Sequence, residues 1–298
     1  MADGPLNGAR QANGVSPAGG VLRIGGRLFP LGARTYVMGI INVTPDSFSD
    51  GGLCLDPDRA AQRARELVAQ GADLLDLGAE STRPGSEPVD AATELARLLP
   101  ALRAVRRAVD VPISVDTYKA RVAEAALREG ADLINDISGL SADPDMAPLA
   151  AAAGVPVILM HRRPFDDPYP GDVWEDVLDG LGRSIARAEA AGVPRRNLIV
   201  DPGFGFGKTD RQNFQLVREL SRLKVFGLPT LLGPSRKSTL GRLLDLPVDQ
   251  REEATGAVTA LAVAQGVDFV RVHDVRAAVR VVRTADAVMR GVGEPGAP

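Results

Sequence analysis

The chain has 298 residues, Lys+Arg 35 against Asp+Glu 38, and a formal net charge of −3. That near balance excludes a large nucleic-acid footprint, which demands a basic domain, but leaves room for a local anion site. Its single cysteine, Cys54, excludes an internal disulfide or a cysteine-held metal cluster and fits a reducing, cytoplasmic setting.

Residues 1–20 are rich in Gly, Ala and polar groups and lack an apolar core of secretory length, so they read as a disordered tail. Residues 291–298 read likewise, which leaves a single domain over 21–290. That domain opens on a short N-terminal β-hairpin over 21–32: Val21-Leu22-Arg23-Ile24, a two-residue turn at Gly25-Gly26, then Arg27-Leu28-Phe29. Strand-like runs and helical periodicity then alternate eight times. The strand candidates are Tyr36–Asn42, Asp73–Gly78, Val111–Asp116, Asp132–Ile137, Val155–His161, Asn197–Asp201, Pro229–Gly233 and Asp268–His273. Helical stretches between and after them include Pro57–Gln70, Val89–Val109, Lys119–Glu129, Trp174–Ala191, Arg211–Lys224, Glu252–Gln265 and Arg276–Arg290. No uninterrupted apolar run reaches the length of a membrane span, so no membrane partner is expected.

Three units share one grammar: Gly71-Ala72-Asp73-Leu74, Gly130-Ala131-Asp132-Leu133 and Gly266-Val267-Asp268-Phe269. Each glycine stands where a helix should end in the left-handed capping conformation, and each leads into a buried strand. Strict alternation implies a parallel sheet with right-handed crossovers, and eight units favour closure into an α/β (β/α)₈ TIM barrel. A doubly wound sheet is the weaker alternative, because no G-x-G-x-x-G follows the first strand.

Polar residues gather at the strand ends: Asn42, Asp76 followed by Glu80, Asp116, Asn135-Asp136, His161, Asp201, Ser235-Arg236-Lys237 and Arg271-Val272-His273. In a barrel these ends converge on one face, where loops build the site. The stretch Asp201-Pro202-Gly203-Phe204-Gly205-Phe206-Gly207-Lys208-Thr209 is one residue away from a phosphate-binding loop, which needs glycine where Pro202 stands. Pro202 removes a backbone donor, so the nucleotide reading is set aside. Asp201 beside Phe206 instead suits a flat heterocycle that donates two parallel hydrogen bonds.

Arg271 and His273, two apart on a strand, should enter the barrel together as a phosphate or diphosphate site; the alternative is a salt bridge to Asp268 or Asp274. His161 reads as structural. Protein-held zinc is not expected with two histidines and one cysteine, whereas Mg²⁺ needs only one protein oxygen plus substrate phosphates, and Asn42 can supply it. No nucleophile is paired with a base, Cys54 in its Gly-rich loop reads as incidental, and the chemistry should be transfer to an external nucleophile. Two polar, turn-rich loops, 44–52 and 81–86, have the composition of mobile lids, as plain surface turns also do.

Taken together the segments over 36–290 resemble dihydropteroate synthase. The resemblance rests on the ordered set Met38–Gly52, Glu80-Ser81-Thr82-Arg83-Pro84-Gly85, Ser114-Val115-Asp116-Thr117, Asn135-Asp136, Asp201–Lys208, Ser235-Arg236-Lys237-Ser238 and Arg271-Val272-His273-Asp274-Val275. It implies condensation of 6-hydroxymethyl-7,8-dihydropterin diphosphate with p-aminobenzoate to 7,8-dihydropteroate and diphosphate, and a target for sulfonamides. By motif it places Asp116, Asn135, Asp201 and Lys237 on the pterin's polar edges, with Met160 and Phe206 against its faces. It gives Asn42, Arg271 and His273 the diphosphate with Mg²⁺, and Asp116, Lys237 and Arg271 the catalytic roles. Ser238 would meet the aminobenzoate carboxylate at a helix N-terminus, and Phe48, Thr82, Arg83 and Pro84 would belong to closing lids. A homodimer through the last helices is implied at the level of the fold. The chain departs from the family's pattern at Ala79, at His161-Arg162-Arg163-Pro164 and at Pro234, which sets its fifth loop apart. The other readings are a pterin-dependent methyltransferase-type barrel and a non-catalytic pterin-binding paralogue. The first has no use for the anion groups, and intact Asn42, Asp116, Asp201, Lys237 and Arg271 speak against the second.

Overall fold

The structure, a computed structural model, describes residues 20–44, 56–81, 87–163, 169 and 171–291. The tails expected at 1–20 and 291–298 lie outside it except for Gly20 and Gly291, as do Phe48, Cys54 and most of the two loops read as lids.

The expected hairpin is β1 (Val21–Ile24) and β2 (Arg27–Pro30), antiparallel with Ile24 opposite Arg27 across Gly25-Gly26. Eight strands follow: β3 (Tyr36–Asn42), β4 (Leu74–Gly78), β5 (Ile113–Asp116), β6 (Leu133–Asp136), β7 (Val157–Met160), β8 (Leu198–Asp201), β9 (Leu231–Leu232) and β10 (Phe269–Val272). All pair in parallel, β3 through β8 in chain order, with β10 between β3 and β9. A parallel bridge from Val200 to Thr230 joins β8 to the entry of β9 and completes the ring. Each of the eight expected strands is present, the first as expected over Tyr36–Asn42 and the others trimmed at their ends.

The helices are α1 (Pro57–Ala69), α2 (Ala91–Ala108), α3 (Ala120–Arg128), α4 (Met146–Ala153), α5 (Val173–Ala190), α6 (Asp210–Arg218), α7 (Ser238–Leu244), α8 (Glu252–Ala264) and α9 (Val275–Arg290). Their starts are chemically marked. Asp90 accepts from the backbone of Ala92 and Thr93 before α2, and Thr209 with Gln212 forms a reciprocal capping box before α6. The stretch expected as one helix over 211–224 divides at Glu219, after which Leu220–Phe226 tightens into a 3₁₀ turn. Helices α4 and α7 are short, two turns each, too brief for periodicity to single them out.

The repeated Gly-x-Asp units do two jobs. Gly71, Gly130 and Gly266 adopt φ of +105°, +97° and +79°, and the next residue's N–H returns to a carbonyl five residues back, from Ala72 to Leu67, Ala131 to Ala126 and Val267 to Ala262. The aspartates then tie neighbouring strands. Asp73, Asp132 and Asp268 accept at 2.8 Å from the backbone N–H of Val37, Ile113 and Thr230. These carboxylates stitch the barrel's N-terminal face and leave the other face free for chemistry.

Alternation along the strands divides the sequence between two environments. Outward residues such as Val37, Leu75, Leu77, Val115, Ile134, Leu159, Val200 and Val270 pack in one cluster with the helices. The inward set at the lower level is Tyr36, Met38, Leu74, Leu133, Ile158, Ile199, Leu231 and Phe269. Leu22, Ile24 and Phe29 of the hairpin plug that lower mouth, each buried side chain contributing about 2 kcal/mol. Phe29 and Tyr36 meet edge-on at 4.9 Å between centroids, and the Tyr36 hydroxyl donates to Pro30 O at 2.8 Å.

Candidate active site

Two residues above the apolar plug, the inward positions become polar on β4, β6, β8 and β10, while β7 keeps the apolar Met160. Leu74 is followed by Asp76, Leu133 by Asn135, Ile158 by Met160, Ile199 by Asp201 and Phe269 by Arg271. Asp116 ends β5 opposite Gly78 on one side and Asn135 on the other. Gly78 gives it room, since a Cβ there would stand a tight 3.3 Å from the Asp116 Cβ. Asn42, half-buried, ends β3 on the same rim. Asp76, Asp116, Asn135, Asp201 and Arg271 therefore share one rim, whereas Asp136 turns to the backbone of Ser138 and Leu140 and His161 to helix α5.

Arg271 anchors them. Its Nε donates to Asp76 Oδ2 at 2.5 Å and its Nη2 to Asp116 Oδ2 at 2.6 Å, while Asn135 Nδ2 also donates to Asp76 Oδ2 at 3.1 Å. Arg271 is thus ion-paired, but with neither partner expected from sequence: Asp268 holds Thr230, and Asp274 caps α9 by accepting from Ala277 at 2.9 Å. Burial opposes the guanidinium charge, yet the two carboxylates more than offset it and raise its pKa. For Asp116, burial dominates and pushes the acid up to about 7; Arg271 opposes this, and the like charges of Asp76 and Glu94 add to it. Asp201 is pushed up to about 6, again by burial, against the Gly203 N–H bond at 2.7 Å and the charges of Lys237, Lys208 and Arg271. His273 Nδ1 lies 2.9 Å from Ser235 Oγ, which also accepts from the His273 backbone.

The glycine loop after β8 is shaped by close approach. A Cβ on Gly203 (φ +71°) would fall 1.9 Å from His161 O, and one on Gly205 (φ +81°) 2.7 Å from Lys237 Cδ. Lys237 therefore lies along bare backbone, its Nζ 3.9 Å from the centroid of the Phe206 ring. Lys208, the residue a phosphate loop would aim at its ligand, turns inward instead. Its buried Nζ donates to Gly203 O at 3.0 Å, Phe206 O at 3.3 Å and His161 O at 3.5 Å. Burial drops its pKa to about 7. Rejection of the nucleotide reading thus has a geometric counterpart.

His161 is buried against Gly180, with Nε2 3.2 Å from Asp176 Oδ2, and burial pushes it down to about 3, so it is neutral. Ser238 is exposed at the first turn of α7, which Lys237 begins without a side-chain cap. Phe48, Thr82, Arg83 and Pro84 lie outside the described residues.

Sequence reading undervalued Asp76. It is wholly buried, its Oδ1 has no hydrogen-bond partner, and it holds both Arg271 and Asn135. A charge at the centre of Leu74-Leu75-Asp76-Leu77-Gly78 was the available signal. A second network also escaped: Lys119 bridges Glu80 and the buried Glu94, and the Tyr118 hydroxyl donates to Glu80 at 2.7 Å. It secures the root of the second loop, and its members are far apart in sequence.

Residues 38–273 match the sequence model of the pterin binding enzymes. The chain belongs to that family. A dihydropteroate synthase of Clostridium beijerinckii is 47% identical over 270 residues, which is 90% of this chain and all of that one. Among solved structures of the family, the Xanthomonas albilineans dihydropteroate synthase with 4-aminobenzoic acid superposes with a TM-score of 0.86 at 42% identity, covering 92% of this chain and 99% of that one. The same enzyme in complex with 7,8-dihydropteroate gives 0.83 at 40% identity, over 92% and 100% of the two chains. At such identity and TM-score this chain shares the fold of those structures.

Proposed function

We propose that this chain is a dihydropteroate synthase, joining 6-hydroxymethyl-7,8-dihydropterin diphosphate to p-aminobenzoate in folate biosynthesis. The observation that carries this is the meeting of Asp116, Asn135, Asp201, Lys237 and Arg271 at one barrel rim. Two buried carboxylates and an amide offer acceptors for a guanidine-like heterocycle edge, while Met160 and Phe206 supply apolar faces. Asp201 is the principal acceptor, because it is a desolvated carboxylate that, unlike Asp116, is not already ion-paired with Arg271. Arg271, His273 and Asn42 bind the diphosphate. One protein oxygen with substrate oxygens and water suits Mg²⁺, and no group of three His, Cys, Asp or Glu among the described residues competes as a metal cage. Bound there, the ion would neutralise charge on the leaving diphosphate.

In the proposed reaction the C–O bond to diphosphate breaks first, and the electron-rich pterin stabilises the methylene cation. The neutral aniline nitrogen then forms the C–N bond and loses a proton. Asp116, poised near 7, and Lys237 hold the ring's polar atoms during this change, and Arg271 stabilises the departing anion. Ser238 and the first-turn backbone of α7 receive the aminobenzoate carboxylate, and Phe48, Thr82, Arg83 and Pro84 close over it. No protein nucleophile is required. Sulfonamides, as aminobenzoate mimics, would compete at the same place.

We further propose a cytoplasmic homodimer joined through the last helices. Exposed Leu261 on α8 and Val288 and Met289 on α9 support that face, and the lone cysteine supports the compartment. No helix among the described residues is long and apolar enough to cross a membrane.

The test is diphosphate release from the pterin substrate with and without p-aminobenzoate and Mg²⁺. Release that needs both supports the synthase. Pterin binding without turnover identifies a non-catalytic paralogue instead.

A further inference from the structure

A second concave site, unused by the proposed reaction, lies on the outer side of β7. A cavity of about 310 Å³ opens between the end of that strand, the loop after β6 and helix α5. Arg162, Arg163, Arg183 and Arg187 line it, with Asp176 the one carboxylate among its described lining residues and Ser138, Ser141 and Ser184 adding hydroxyls. Four guanidinium groups around one small space repel one another unless an anion joins them.

Their present contacts leave that possibility open. Arg162 is exposed and makes no ion pair among the described residues. Arg183 pairs with Asp179, but the two side chains are 62% and 68% exposed, so water screens the contact heavily. Arg187 donates through Nη1 to Gly139 O at 3.0 Å, which spends one nitrogen of its fork. The Arg163 guanidinium meets Asp176 at 2.8 Å.

The deep wall carries a second signal. His161 is 7% exposed, and its Nδ1 is buried with no hydrogen-bond partner. Burial first, then the charges of Lys208, Arg183 and Arg163, keep the ring neutral, with the pKa near 3. Nε2 lies 3.2 Å from Asp176 Oδ2 without forming a hydrogen bond to it, and Nδ1 is left unpartnered. The cations that add to burial in keeping the imidazole neutral are also the ones that attract an anion. The volume, at the lower end of the roughly 300–1,000 Å³ of small-molecule sites, exceeds what a bare phosphate fills.

We propose that this cavity binds a small, soluble, hydroxylated phosphate monoester, its phosphoryl group among Arg162, Arg183 and Arg187 and a hydroxyl donating to His161 Nδ1. Bidentate arginine forks with serine hydroxyls are suited to a phosphoryl dianion. Met160, which also lines the cavity, is shared with the barrel mouth, so the two sites abut without overlapping in their charged groups.

His161 and His273 are the chain's two histidines, one at each site, so an imidazole-labelled NMR spectrum of the full chain reports both separately. The His273→Asn variant assigns the signals. Glycerol 3-phosphate and inorganic phosphate are titrated at constant ionic strength. The expected result is a saturable shift of the His161 signal, at lower concentration with glycerol 3-phosphate than with phosphate. In an Arg162→Ala/Arg183→Ala variant the dissociation constant rises at least tenfold while the His273 response is unchanged, which also reports an intact fold. Vesicles of phosphatidic acid, bearing the same monoester on a membrane surface, leave His161 unmoved. A His161 signal indifferent to glycerol 3-phosphate, or equally responsive in the double variant, overturns the proposal. Preference for phosphate over the monoester, or a response to vesicles, overturns its ligand class.

Discussion

Replacing Asp201 with asparagine should make the protein more stable at pH 8 and inactive. Burial raises this carboxyl from its ordinary 3.8 to about 6, despite the Gly203 N–H and the neighbouring cations. At about 1.4 kcal/mol per pH unit, keeping it ionised in the free fold costs about 3 kcal/mol. Because the folded pKa is the higher one, the contribution favours the fold below pH ~4, declines as pH rises, and is gone above about 6. Asparagine has the shape of the protonated acid, and its carbonyl oxygen keeps the 2.7 Å bond from Gly203. The Asp201→Asn variant should therefore match the wild type in urea unfolding at pH 4 and exceed it by up to about 3 kcal/mol at pH 8. Pterin binding, followed by calorimetry, should be lost, because an amide turns one acceptor into a donor facing the ligand's own donors. A variant less stable than the wild type at pH 8, or a difference flat from pH 4 to 8, would refute the view of Asp201 as a desolvated carboxylate awaiting a ligand.

Lys237→Ala should lower kcat/KM at least about hundredfold while shifting urea stability by no more than about 1 kcal/mol, the worth of its contact with Phe206. Unchanged turnover removes Lys237 from the site. Arg271→Met should cost about 3–5 kcal/mol by leaving Asp76 and Asp116 unpaired in the interior. Adding Asp76→Asn should recover much of that stability and none of the activity; equal urea midpoints for Arg271→Met and wild type would dissolve the triad. Gly203→Ala, with φ +71° and a Cβ 1.9 Å from His161 O, should cost more than about 3 kcal/mol, seen as loss of soluble, folded protein by circular dichroism. Removing divalent ions with a chelator should stop diphosphate release and Mg²⁺ should restore it; release that survives chelation counts against the Asn42 role.

Period-two alternation made the barrel legible. Leu133 and Asn135, or Phe269 and Arg271, face the same interior, and the strand ends that turn polar mark the rim in the sequence itself. The Gly-Ala-Asp repeats gave the helix ends correctly, but their aspartates looked generic. Only the register shows each one bonded to a backbone N–H at the start of an adjacent strand. Asp76 was visible as a charge among leucines, yet its partners Arg271 and Asn135 lie 195 and 59 positions away, and closure of the ring is what joins them. The short helices α4 and α7 offer two turns each, too little for a periodic signal to exceed chance. Inward folding of Lys208 was equally hidden, since it depends on three carbonyls presented by the glycine loop.

The stability and the proposed chemistry draw on the same charges. Asp76, Asp116 and Arg271 together carry one more negative than positive charge when all are ionised, buried where each carboxylate is costly. A proton held by Asp116 near neutrality removes that excess, and this is why burial with Asp76 nearby raises its pKa rather than letting Arg271 lower it. Arg271 meets the two carboxylates through Nε and Nη2, and Nη1 takes part in neither pair. A planar fork with five N–H donors is therefore anchored by one edge while another remains for an anion. On the proposed reading, diphosphate approaching that edge strengthens Asp116's hold on its proton, and departure of the anion loosens it. Leaving-group loss and the proton state at the pterin's edge are then coupled through a single guanidinium, held rigid by an aspartate that touches neither substrate.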